Sequence, residues 1–384
     1  MGTDPGERRR VGDGWRNHSR RDRGDEQPAP GACLMKALVI RAFGGPAVLE
    51  MAELPDPEPG PGEVRVRVHA VVVARTKDVA ARAGKPPFAP QIKTFPHVLG
   101  TEHAGVIDRV GPGLDDGLVG RRVAVSAVLS CSRCRACLVS REEACSEFAL
   151  VGIHRQGSYA EYCVVPVDNV REIPDEVAFP EAAALAANGG VASAQLDAGA
   201  AGPGTTVLVP GAGGALGVTV AALAAFRGAR VIGVDRRPPR LAGLPLVALD
   251  GAADDLPARI LEAAGSGGLD CVVDNLGITA WCEAYLPALG ALGRVVVSGA
   301  VNHDPVPIRL LQFYLRSQSL IGVRTGNRRQ IDRLWADVAA GFRLPAGFVH
   351  TLSWTRALDA HASLQSGGTS GQLVLTMDAS SAAG

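Results

Sequence analysis

The sequence predicts an α/β protein in two parts: a β-barrel-like domain, then a doubly wound parallel sheet. Three observations predict it. Short β-branched runs broken by Gly and Pro fill the first half of the chain. From about Pro180, short fully apolar runs alternate with Ala/Leu-rich helical stretches. A glycine-spaced turn stands at the first strand-to-helix junction of that second half. The 384 residues suit two domains at about 100–200 residues each.

The elements follow in order. Residues 1–31 are rich in Gly, Pro, Arg and Asp and nearly free of apolar side chains. Such a segment buries too little to offset its ordering entropy, so residues 1–34 read as a disordered N-terminal extension. It has no signal-peptide apolar stretch, and its six acids argue against an organelle transit peptide. Structure is expected from Met35. Residues 36–40 and 63–73 read as strands around a Pro/Gly-rich loop at 54–62, and 106–110 and 122–127 continue the pattern of a barrel. Residues 207–209, 231–234, 271–273 and 295–297 read as buried parallel strands, with a helix at 216–226. From about Arg324 the chain mixes a helix at 330–341 with a closing strand at 372–377.

Lys plus Arg and Asp plus Glu number 39 each, so the formal net charge is zero. That excludes the overall basicity of a nucleic-acid binder. No apolar run approaches the ~18 residues of a membrane span. The expected partner is therefore a small-molecule substrate, with no nucleic acid and no membrane. Only four residues, Lys36, Lys77, Lys85 and Lys93, are lysines; the remaining cations are arginine.

Cys33, Cys163, Cys271 and Cys282 are scattered, but Cys131-x2-Cys134-x2-Cys137-x7-Cys145 is a cluster. Four thiolates close in sequence can complete a tetrahedral zinc site, and a full set of protein ligands leaves no open position for chemistry. The expectation is one structural Zn2+ per chain, in a reducing, cytoplasmic compartment.

After the strand ending at Val209 comes Gly211-Ala-Gly-Gly-Ala-Leu-Gly217 and then a helix. Gly211 permits the tight turn, Gly213 and Gly214 let backbone N–H groups approach a pyrophosphate, and Gly217 lets helix and strand pack closely. A second strand ends at Asp235, 24 residues after Gly211. A carboxylate there accepts hydrogen bonds from ribose hydroxyls, which favours NAD(H) over NADP(H). Arg236 and Arg237 follow at once and could instead clasp a 2′-phosphate.

Taken together these motifs resemble the zinc-type medium-chain dehydrogenase/reductase superfamily, over Met35 to Met377. Gly157-Ser-Tyr-Ala-Glu-Tyr162, Asp270-Cys-Val-Val-Asp-Asn-Leu-Gly277, Gly293-Arg-Val-Val-Val-Ser-Gly299 and Gly371-Gln-Leu-Val-Leu375 are similar to its characteristic stretches. The resemblance implies a GroES-like β-barrel catalytic domain at 35–178 with a zinc lobe at 131–145. It implies a Rossmann cofactor domain at 179–323 and a return to the catalytic domain at 324–384. Asn275 and Gly299 would flank the nicotinamide. A homodimer through the Rossmann sheet edge, or a homotetramer, is implied as well.

The sequence departs from the family's alcohol dehydrogenases at their catalytic zinc. The Cys of their Cys-x-Thr-Asp motif falls on Arg75, with Asp78 as anchor. The His of Gly-His-Glu falls on Thr101, and a later Cys aligns near Asn188. Only Glu102 remains, and one carboxylate cannot hold a catalytic zinc. Asp78-x3-Arg82-x-Gly84 resembles the zinc-independent quinone and enoyl reductase branch instead. The function expected is NAD(P)H-dependent reduction of an activated C=C bond. An alcohol dehydrogenase or ketone reductase is one alternative, and a non-catalytic cofactor-binding protein another. Arg75 is expected to fill the former metal space and pair with Glu102, because an unpaired buried charge is costly. Thr76, Thr101 and Asn188 are candidate hydrogen-bond donors, Lys77 a proton donor, and His154 an acid for an enolate. His97 and His103 are expected to be packing groups.

Overall fold

Alternation along the run from Glu63 builds the first sheet. Val64, Val66 and Val68 are buried at every second position, the period that puts one face of a strand inward. In the computed structural model of the chain, described over residues 33–236, 243–301, 304–367 and 371–377, this run is the strand Glu63–Val72. It pairs antiparallel with His103–Val110, Tyr162–Pro166 and the late strand Gln372–Thr376. Arg122–Val125 and Val170–Glu172 extend the sheet on one side and Val349–Ser353 on the other. The C-terminal segment thus completes the first sheet. The expected disordered extension lies outside the described residues except for Cys33 and Leu34, and so does Arg237.

The second sheet has six parallel strands in the order Leu246–Asp250, Arg230–Asp235, Thr206–Pro210, Leu269–Asp274, Leu289–Val297, Ser319–Gly322. Counted along the chain this is 3-2-1-4-5-6, the doubly wound order whose reversal point binds dinucleotides. The fold is the GroES-like barrel plus Rossmann sheet that the motifs imply. The 20-residue helix Phe179–Ala198 joins the halves. Its small side chains let it pack closely on both sheets' elements, against Glu63–Val72, His103–Val110 and the helices Ala215–Phe226 and Arg328–Ala339.

Several strands escaped the sequence reading, among them Tyr162–Pro166, Val170–Glu172 and Val349–Ser353 of the first sheet and three edge strands. Leu49–Pro55 pairs along all of Leu34–Ile40, running two residues into the segment read as loop. Leu246–Asp250 and Ser319–Gly322 close the two edges of the parallel sheet. These three edge strands leave part of their residues exposed, unlike the buried strands at the centre of a parallel sheet. Among the described residues no helix is long and apolar enough to cross a membrane.

Candidate active site and metal centre

The cysteine lobe is framed by a short pairing of Val128–Leu129 with Ala149–Leu150. Inside it Ser132 and Ser140 adopt positive φ of 54° and 56°, tight bends that fold the ligands onto one point. Cys134 caps the short helix Arg135–Leu138, which carries Cys137. All four sulfurs lie within 4.8 Å of one another. Measured pairs are 3.5 Å for Cys131–Cys145, 3.5 Å for Cys134–Cys137, 3.9 Å for Cys134–Cys145 and 4.0 Å for Cys131–Cys137. A tetrahedron with Zn–S of about 2.3 Å requires about 3.8 Å between sulfurs, so the set fits zinc. Backbone N–H groups of Cys131 and Glu147 point at Cys145 Sγ. The N–H groups of Cys137 and Ser146 hold the Cys134 thiol down, whereas burial pushes Cys137 and Cys145 up. Thiolates this close repel, and a dication relieves that repulsion.

The lobe is docked on the segment leading into Arg328–Ala339. The Arg324 guanidinium stacks 3.5 Å from the centre of the Phe148 ring. Asn327 donates to Ser140 O at 2.9 Å and Arg328 to Ser132 Oγ at 3.2 Å.

At the strand-order reversal, Gly211 has a φ of +75° and Gly214 caps the helix Ala215–Phe226 without a side-chain bond. Its first-turn N–H groups are therefore available to an anion. A Cβ on Gly217 would stand 2.1 Å from Gly211 O, and one on Gly299 2.7 Å from Asn275 O. Asp235, at the end of the next strand, accepts from Gly213 N–H at 3.0 Å, while Arg236 is exposed. Farther along, Asn275 Oδ1 accepts from Gln195 Nε2 at 2.6 Å. Asn275 Nδ2 and Ser298 Oγ are buried without a partner among the described residues. The cradle and these orphaned donors fit a nicotinamide dinucleotide. Asp274, buried at 1% exposure, holds this loop by accepting from Leu276 and Gly277 N–H and from the Tyr285 hydroxyl.

The third group lies at the turn Arg75–Val79. The turn closes with wide bonds, Val79 N–H to Ala74 O and Ala80 N–H to Arg75 O. This π-helical spacing rotates the side chains away from their α-helical positions. Arg75 and Thr76 are exposed, Lys77 is half-buried and Asp78 is fully buried. The expected pairing of Arg75 with Glu102 is therefore corrected. Arg75 sits on the outer side of the turn and donates to Leu364 O at 3.1 Å. Lys77 makes the ion pair with Glu102 instead. Thr101, wholly buried, donates to the other carboxylate oxygen at 2.6 Å.

Asp78 ties this group together. It accepts from Ala74 N–H at 2.8 Å, at the start of the turn, and from Gly100 N–H at 3.2 Å, next to Thr101. Behind it lie Arg82, which donates to Gly44 O and Gln365 Oε1, and a Tyr159–His361 hydrogen bond of 3.0 Å. Burial pushes the Asp78 carboxyl up to about 7. Between its ordinary value near 4 and about 7 the folded chain holds a proton that the unfolded chain has lost. Stability should therefore fall as pH rises through that window. Asp78→Asn is expected to remove this slope. Urea unfolding at about pH 4.5 and pH 7.5 measures it. Parallel pH profiles for variant and wild type would contradict the assignment.

Of the other candidates, Asn188 donates to Gln372 Oε1 at 2.8 Å. His154 is exposed, and its Nδ1 accepts from Leu150 N–H at 3.0 Å. His97 is buried against Gly152 O, and burial lowers His103 to about 4. The structure thus brings Lys77, Thr101 and Glu102 together and ties Arg75, Asn188 and His154 to other partners. Gln195 was missed in the sequence because a polar residue in a helix carries no spacing signal of its own.

Known families match both halves of the chain. The alcohol dehydrogenase GroES-like domain matches residues 60–175, and the zinc-binding dehydrogenase domain matches 215–340. The L-galactonate-5-dehydrogenase of Escherichia coli (strain K12) is 33% identical over 268 residues, 69% of this chain and 76% of that enzyme. The chain belongs to the zinc-type medium-chain dehydrogenase/reductase superfamily. It is accordingly an NAD(P)-dependent oxidoreductase. A crystal structure of an NAD-dependent alcohol dehydrogenase superposes with a TM-score of 0.79 at 33% identity, covering 90% of this chain and 100% of that one. The structure of the rspB alcohol dehydrogenase of E. coli CFT073, complexed with NADH, gives 0.77 at 26%, covering 90% and 99%. Against this superfamily background one local feature is notable. Among the described residues, the four cysteines are the one group of three or more His, Cys, Asp or Glu side chains arranged for a metal ion.

Proposed function

We propose that this member of the superfamily reduces an activated C=C bond, in an enone, enoyl thioester or quinone, without a catalytic zinc. One observation carries the reading. Where the resemblance puts metal ligands, the chain has an ion pair of Lys77 with Glu102, closed by the Thr101 hydroxyl. A dication beside that ammonium would be repelled, and Glu102 alone cannot bind one. Conjugate reduction needs less electrophilic assistance than alkoxide chemistry, because the charge it creates is spread over an enolate.

The bound nicotinamide would supply the hydride. The chain's own residues do the rest. The N–H groups after Gly211 hold the pyrophosphate, Asp235 the adenosine ribose, and Asn275, through Gln195 and the Asp274 anchor, the nicotinamide end. Asp235 favours NAD(H), and the four cysteines hold one structural zinc. Thiolate ligands suit a cytoplasmic setting. The exposed Leu310, Leu311, Tyr314 and Leu315, beside the edge strand Ser319–Gly322, support a homodimer through that edge.

Carbonyl–alcohol interconversion is the second reading, favoured by the dehydrogenase names of the relatives. Elemental analysis of the purified protein with turnover assays separates the two. Expected are one zinc per chain and oxidation of NADH, faster than NADPH, by enones, enoyl thioesters or quinones, with alcohols inert. A second zinc together with alcohol oxidation would overturn the proposal.

A further inference from the structure

We propose that Lys77 is the catalytic acid of the reduction, a role that rests on the C=C reading above. Lysine is scarce here, at four of the 39 Lys and Arg residues. At position 77 it presents a compact ammonium that can give up a proton, which a guanidinium does not do. The geometry is directional. The Glu102 side chain is 7% exposed and that of Lys77 19%, so the carboxylate is the more deeply buried partner. Glu102 Oε1 takes one of the three Nζ protons, and Thr101 fills Oε2. The remaining Nζ–H bonds can address a substrate carbonyl.

Asp78 keeps this geometry rigid, because it anchors both the turn carrying Lys77 and the Gly100 end of the segment carrying Glu102. The titratable groups around the ammonium are Glu102 and Asp78, whose carboxyl is pushed up by burial, and Arg75 lies on the same turn.

The step balances as follows. The bound nicotinamide would supply a hydride, with its electron pair, to the β-carbon. The C=C π pair moves to form the enolate, whose oxygen accepts a hydrogen bond from Lys77 Nζ. Nζ–H then breaks, the α-carbon takes the proton, and the neutral amine regains one from water.

The test uses the full-length, zinc-loaded chain. Lys77→Met is expected to lower kcat with an enone by about 100-fold or more, with NADH affinity and KM within about threefold. Lys77→Arg should keep the ion pair yet recover little turnover, because a guanidinium does not release a proton. If the stranded Glu102 carboxylate prevents folding, Lys77→Met combined with Glu102→Gln removes that charge and replaces the single variant. A second readout needs no turnover. In protein labelled with 15N-lysine, only four side-chain signals exist, and the one missing from Lys77→Met should shift when the saturated ketone product binds with NAD. An unshifted signal, or kcat within about threefold of wild type, overturns the role of Lys77. Wild-type protein that reduces no alkene at all overturns the C=C reading and this assignment with it.

Discussion

Cys131→Ser is expected to cost the chain its zinc and much of its stability. Cys131 Sγ lies 3.5 Å from Cys145 Sγ and 4.0 Å from Cys137 Sγ, and accepts the Cys134 N–H at 3.4 Å. A serine oxygen is a poor replacement for thiolate at zinc, and three sulfurs leave the shell open. The damage should not remain local. The lobe grips the segment before Arg328–Ala339 through Arg324 on Phe148, Asn327 on Ser140 and Arg328 on Ser132. That helix packs on Phe179–Ala198, the element between the two sheets. Loss of a structural metal belongs among the substitutions costing about 4–5 kcal/mol or more, which at this chain length lowers Tm by about 5–6 °C. Elemental analysis and thermal unfolding check it. Undiminished zinc content, or an unchanged Tm with the zinc gone, would refute the structural role.

The parts of the molecule legible in the sequence are those where backbone geometry or ligand count restricts the residue. The cysteine spacing of 131, 134, 137 and 145 is one. Gly211, Gly214 and Gly217 are another, since a side chain at 217 has no room. Central strands such as Thr206–Pro210 and Leu269–Asp274 show because buried apolar runs, 207–209 and 271–273, fill their middles. Edge strands do not, because Leu49–Pro55 and Ser319–Gly322 leave part of their residues in water.

The active-site turn was legible only in composition. That Arg75, Thr101 and Asn188 stand where the resemblance puts metal ligands could be read, and so could the need for a cation to balance Glu102. Which cation does so depends on the phase of the π-helical turn Arg75–Val79. An i→i+5 closure puts Lys77 inward and Arg75 outward, and no local spacing rule distinguishes it from an ordinary α-turn. Gln195 shows a related limit. Its partner Asn275 is 80 positions away, so only the tertiary fold reveals the pair.

Gly217→Ala is the second substitution with a large expected effect, and it isolates the cofactor site from the rest of the chain. A Cβ there would lie 2.1 Å from Gly211 O, 2.9 Å from Gly211 C and 3.0 Å from Ala212 Cα. All three atoms are backbone, so no side chain can swing aside. Either the helix Ala215–Phe226 moves off the strand Thr206–Pro210 or the loop between them deforms. Both displace the N–H groups meant for a pyrophosphate, and a misplacement of about 1 Å costs about 100-fold in a positioned site. The strain should also cost about 1–3 kcal/mol of stability, as overpacking does. Gly202→Ala is the control, because its added Cβ meets nothing within 4 Å. Titrating each protein with NADH and following Tm with added dinucleotide separates the two losses. A folded chain that NADH no longer stabilises is the expected result, since ligand stabilisation scales with the logarithm of occupancy. Dinucleotide affinity equal to that of wild type would mean that the Gly211–Gly217 loop is not the cradle its geometry suggests.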